Sequence, residues 1–96
     1  ARLERAPGKI VFRFRARDLH LVLKPSASGK PVRFRVTLDG KAPGADRGGD
    51  VDAQGAGVVR EQRLYQLIRQ GGAVAEREFT IEFLDAGVEA YAFTFG

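Results

Sequence analysis

What most constrains this chain is an alternation of apolar and polar residues that recurs along its length. In IVFRFRAR, residues 10–17, Ile10, Phe12, Phe14 and Ala16 fall on one side, and Arg13, Arg15 and Arg17 on the other. LHLVLK (19–24) repeats this with Leu19, Leu21 and Leu23, and VRFRVTL (32–38) with Val32, Phe34, Val36 and Leu38. REFTIEF (77–83) sets Phe79, Ile81 and Phe83 against Glu78, Thr80 and Glu82. Successive side chains of a strand point to opposite faces, so a period of two with one apolar side marks a strand with one buried face.

The runs are separated by turn-forming stretches: PSASGKP (25–31), DGKAPG (39–44), QGG (70–72) and DAG (85–87). Short alternating strands at this spacing, in a chain of 96 residues, predict one all-β domain: an antiparallel β-sandwich or jelly roll. A further short strand is expected at 2–5, followed by a turn at Pro7-Gly8. Residues 39–57, rich in Gly and Asp, read as a long surface loop with a short strand near Val51. REQRLYQLIRQ (60–70) has apolar residues at both helical and strand spacing; without an N-cap residue before it, it is read as a strand.

The last strand, 88–95, raises a question of its own. With period two, Tyr91, Phe93 and Phe95 share one face and Val88, Ala90, Ala92 and Thr94 the other. The aromatic row is assigned to the core, because an exposed row would leave an apolar patch that soluble monomers seldom carry. The small apolar face opposite is then expected to lie under a neighbouring domain or a preceding segment.

Charge is distributed unevenly. Residues 1–41 carry 11 basic and 3 acidic side chains, and residues 42–96 carry 5 basic and 9 acidic. Basic and acidic strands lying side by side would neutralise each other across a sheet. No nucleic-acid motif accompanies the charge, and no nucleic-acid partner is expected. Cys is absent, which excludes a disulfide, a thiolate nucleophile and a Cys-ligated zinc site. Trp is absent, so indole stacking on sugars is unavailable. No apolar run approaches the roughly 20 residues of a membrane-crossing helix, and no insertion of that kind is expected.

Candidate chemistry is sparse. DVDAQGAGVVRE (50–61) places Asp50, Asp52, Gln54, Gly55 and Glu61 as in a twelve-residue calcium loop, but Gln54 stands where Asp or Asn is usual and no entering helix precedes it. A hairpin tip explains the same residues, so no metal or other cofactor is expected. His20, the single histidine, sits on the polar side of its strand, with Asp18 beside it as a turn residue. No Ser/His/Asp arrangement is legible around it, which disfavours a hydrolytic enzyme. Glu78 and Glu82 are read as ion-pairing surface residues rather than a glycosidase pair. Tyr65 and Arg69, placed on one side of the 63–69 strand, form with His20 the candidate ligand-binding set; a Tyr with an Arg suits a sugar or the rim of a domain interface.

Four segments together, ARDLHLVL (16–23), DVDAQGAG (50–57), RLYQLIR (63–69) and FLDAGVEAYAFTFG (83–96), resemble the C-terminal domain of DipZ-type thiol–disulfide proteins. The resemblance implies a β-sandwich similar to carbohydrate-binding modules, an extracytoplasmic location in the cell envelope, and a thioredoxin-like domain in cis that holds the Cys-x-x-Cys motif. No position here matches that motif, so no catalytic residue carries over. On this basis residues 1–96 are expected to be one accessory domain, the C-terminal part of a longer thioredoxin-like protein whose module begins before Ala1. Its expected role is non-catalytic docking or partner recruitment, with binding of envelope glycans as the alternative.

Overall fold

The computed structural model describes residues 2–3 and 8–96. The described strands are β1 (Arg2–Leu3), β2 (Gly8–Phe14), β3 (Asp18–Lys24), β4 (Val32–Leu38), β5 (Ala56–Val59), β6 (Arg63–Arg69), β7 (Arg77–Phe83) and β8 (Val88–Phe95). One 3-10 turn, Gly44–Asp46, interrupts the long loop, and no α-helix occurs among the described residues. The ambiguous 60–70 segment is therefore strand, as expected. The expected turn at Pro7-Gly8 falls partly outside the described residues, as does the rest of the first strand beyond Leu3.

Two antiparallel four-stranded sheets form, one in the order β1-β8-β3-β6 and the other β2-β7-β4-β5. Except for the β4–β5 hairpin, consecutive strands cross from one sheet to the other, in the winding of a jelly roll. The alternation of the sequence becomes a layered core. Leu19, Leu21, Leu23, Tyr65, Leu67, Val88 and Ala90 of the first sheet face Phe14, Val32, Phe34, Val36, Leu38, Phe79, Ile81 and Phe83 of the second.

The outer face of the second sheet accounts for the uneven charge. Acidic β7 lies between basic β2 and basic β4, so Glu82 stands opposite Lys9 on one side and Arg35 on the other. Glu78 stands opposite Arg13, whose guanidinium lies 3.7 Å from its carboxylate and 3.2 Å from that of Glu76.

Two bulges redirect side chains that a strict period of two would place elsewhere. In the β3–β6 pair, Leu19 faces Ile68 but His20 faces Gln66, which leaves Leu67 as an extra residue on β6. Tyr65, Leu67 and Ile68 are all buried, and Arg69 turns outward. In the β3–β8 pair, Leu21 faces Phe93 and Leu23 faces Ala90, so Tyr91 and Ala92 together oppose Val22. An extra residue of this kind inverts the in–out alternation beyond it.

The reading of the last strand is corrected accordingly. Val88 and Ala90 lie in the core, at 0% and 8% exposure, rather than on a second face awaiting a neighbour. Tyr91 is 52% exposed and its hydroxyl bonds Glu89 Oε2 at 2.8 Å. Phe93 packs partly buried against the core, while Phe95 at 46% and Phe12 at 37% stay open to solvent where β2 and β8 meet.

The long loop is also more structured than expected. Val51 is a core residue rather than part of a strand, and the short strand of this region is β5, at 56–59. Residues 47–50 run along the free edge of β6. Gly48 N–H donates to the Leu67 carbonyl at 3.0 Å, Asp50 N–H to the Gln66 carbonyl at 3.1 Å, and Gln66 N–H returns a bond to Asp50 Oδ2 at 2.7 Å. Only glycine permits this approach at position 48, since a Cβ there would stand 2.3 Å from the Gln66 carbonyl oxygen.

Candidate functional site

Where loop 44–51 crosses β6, it walls a shallow cavity of about 160 Å³ lined by Asp18, His20, Gly48, Gln66, Ile68 and Arg69. The register explains who meets whom. His20 pairs with Gln66 and Asp18 with Arg69, and the Leu67 bulge turns Arg69 to the outer face beside them. Two of the three expected ligand-binding residues, His20 and Arg69, therefore line one cavity.

Asp18 is not the turn residue expected from the sequence. It opens β3 and is 7% exposed. Its carboxylate takes bonds from Arg17 Nε and from Arg17 Nη2 at 2.9 Å, and its backbone exchanges two bonds with Gly96. The hydrogen bond from Arg17 holds the Asp18 carboxyl below its usual range, and the charges of Arg17 and Arg69 act in the same direction against the cost of burial. The cavity thus offers an imidazole, an amide, a guanidinium and a paired carboxylate. These groups can hydrogen-bond a small polar ligand. Its lining contains no hydroxyl or thiol for His20 to activate.

Tyr65 lies elsewhere. Leu67 separates Tyr65 from Arg69 by one bulge too many for both to share a face, and Tyr65 is 1% exposed in the core. Its hydroxyl donates to the Glu61 carbonyl at 2.7 Å and accepts from Arg60 N–H at 3.1 Å and Glu61 N–H at 3.3 Å. The bond back to the residue four positions upstream fastens the 60–62 turn to β6, as in the tyrosine corner of other β-sandwiches. The Arg63 guanidinium covers the ring, 3.9 Å from its centroid.

The residues of the calcium-loop match are occupied by separate tasks. Asp50 accepts from Arg63 Nη2 at 2.7 Å and Nη1 at 3.1 Å, and these bonds hold its carboxyl below the ordinary range. Asp52 Oδ1 accepts from Gln54 N–H at 3.0 Å and Ala56 N–H at 2.9 Å, closing the tip with Gly55 at a φ of 88°. Glu61 faces Arg63 at 3.6 Å. Among the described residues, no cluster of three or more His, Asp or Glu side chains is placed to hold an ion.

A second surface escaped the sequence reading. Phe12, Arg13, Phe14, Arg15 and Phe95 border an open cavity of about 330 Å³ beside β2. Phe12 stacks on Phe93 with centroids 4.8 Å apart, and on Phe95 at 5.7 Å. The alternation of 10–17 predicted that Phe12 faces inward, but nothing in it reveals that β2 lies at a sheet edge.

The match to a family of known sequences covers the entire chain: the model for a thioredoxin-like C-terminal domain fits residues 1–96. The chain belongs to the thioredoxin-like C-terminal domain family. No curated protein and no solved structure matches. As a member of this family, the domain is an accessory domain of a thioredoxin-like protein, and neither of its two surfaces carries a thiol.

Proposed function

We propose that this domain is the non-catalytic interaction module of an extracytoplasmic, DipZ-type thioredoxin-like protein, and that it docks the redox domain or recruits that domain's protein partners. The observation that carries the reading is the family match over residues 1–96. Agreement of four separated segments with the DipZ-type pattern supports the finer assignment and the envelope location. The chemistry of the two surfaces is of a kind that binds: a hydrogen-bonding cavity around His20 and Arg69, and an aromatic and basic edge around Phe12 and Arg15. The longer gene should encode a Cys-x-x-Cys thioredoxin-like segment upstream, and fractionation of cells should place its product outside the cytoplasm. Titrating the separately expressed redox domain into the isotope-labelled 96-residue chain should shift a contiguous set of amides; absence of any shift at millimolar concentration would remove the docking reading.

Envelope-glycan binding is the second reading, and the His20–Gln66–Arg69 cavity favours it, because amide and guanidinium groups suit sugar hydroxyls. Titration with glycan fragments separates the two. Shifts centred on His20 and Gln66 support the glycan, and a spectrum unmoved by any fragment leaves protein docking as the reading.

A further inference from the structure

We propose that the edge of β2 is a strand-docking site for an extended partner segment in which acidic and apolar residues alternate. The inference rests on the interaction-module reading and gives the partner its chemistry.

An edge strand presents unpaired N–H and C=O groups, and proteins usually block it by shortness, proline, a bulge or a covering loop. The described edges of this sandwich are largely blocked in such ways. Loop residues 47–50 run along β6, β5 has four residues, and β8 carries both a bulge and the short β1. β2 differs. It has seven residues, contains no proline, and pairs with β7 in unbroken register from Gly8–Phe83 to Phe14–Arg77. Among the described residues, no strand joins its other side.

The side chains specify what fits there. Across the outer face the rows run Arg35, Glu82, Lys9 and then Glu78, Arg13, so charge alternates from strand to strand. A strand added beyond β2 continues both rows if its outward residues are acidic. Arg15 is exposed and extends the basic line, and it makes no ion pair among the described residues. On the inner side, Phe12 and Phe95 keep 37% and 46% of their surface in water, and apolar side chains of the incoming strand would cover them. Addition of a strand supplies main-chain bonds for affinity, and the alternating side chains supply specificity.

The same charges argue against a second copy of this chain. In an antiparallel β2–β2 pair about a two-fold at Val11, Lys9 faces Arg13 of the copy. Like charges directly opposite are destabilising. The occupant is therefore a different, acidic segment.

Two seven-residue probes test this, each acetylated and amidated: one alternating Glu and Val, the other alternating Lys and Val. They are titrated into the isotope-labelled 96-residue chain. The acidic probe should shift amides of residues 8–14 and bind about tenfold more tightly than the basic one. Its binding should weaken when salt rises from about 50 to about 500 mM. Arg15→Glu, at an exposed position that makes no ion pair among the described residues, should weaken the acidic probe and leave the spectrum of the free domain otherwise unchanged. Equal binding of both probes, shifts that avoid β2, or no shift from the acidic probe at about 2 mM would overturn the proposal. These outcomes are separate from docking of the redox domain, which can occur on another face whether or not the probe binds.

Discussion

The rings of Phe12 and Phe93 stack 4.8 Å apart and 13° from parallel, joining the edge of one sheet to the other. Phe93 also meets Phe79 edge-on at 6.2 Å. It is the inward end of an aromatic run whose outer end, Phe95, is open to water. Phe93→Ala should cost about 2 kcal/mol, less than the roughly 3–5 kcal/mol of a fully buried phenylalanine, because part of its surface is already hydrated. Urea unfolding of the variant checks this, and Tyr91→Ala should cost much less because Tyr91 faces solvent.

Ala90 reverses the expectation drawn from alternation alone. Because Ala90 sits in the core opposite Leu23, Ala90→Glu buries a carboxylate with no partner. The variant should fail to fold, with loss of amide dispersion in its spectrum. A folded variant would show that β8 runs without its bulge.

Tyr65→Phe tests the corner that fastens the 60–62 turn. Removing the hydroxyl leaves the Glu61 carbonyl and the N–H groups of Arg60 and Glu61 without that partner, at a cost of about 1–3 kcal/mol. The His20 cavity should stay intact, since it shares no side chain with the corner.

Acid should unfold the domain over a defined window. Hydrogen bonds from the Arg33 side chain and backbone hold Asp85 down to about 2, against an ordinary 3.8. Asp39 lies below its usual range through a backbone bond from Glu78 and its pairing with Arg77, and Asp50 and Asp18 do so through Arg63 and Arg17. For a carboxyl depressed in the folded state, the stabilisation is complete above the unfolded value and disappears as pH falls through the folded one. Melting temperature should therefore be level down to about pH 4 and drop steeply toward pH 2. Asp85→Asn should lower the plateau and flatten part of the drop.

The strands were legible because each apolar row is long enough to require a buried face. Leu19-Leu21-Leu23, Val32-Phe34-Val36-Leu38 and Phe79-Ile81-Phe83 are all in the core, as their spacing implies. The acidic–basic alternation of sequence halves likewise became adjacent strands. What remained hidden follows from single inserted residues. Neither Leu67 nor the Tyr91–Ala92 pair differs in type from an ordinary strand residue, yet each inverts the faces that follow it. That inversion separates Tyr65 from Arg69 and places Arg69 with His20. The β2 edge was equally invisible, because alternation records which face a residue takes and not which strand ends a sheet. A Gly-Gly pair before Asp50 was the one available sign that the loop lies closely against another strand.

The interaction-module account is tested most directly by removing residues 1–96 from the longer thioredoxin-like protein and measuring thiol–disulfide exchange with two oxidants, a folded disulfide-bonded protein and a small-molecule disulfide. The account predicts that exchange with the small disulfide keeps its rate while exchange with the protein partner slows. Unchanged rates with both, or an equal loss with both, would contradict it.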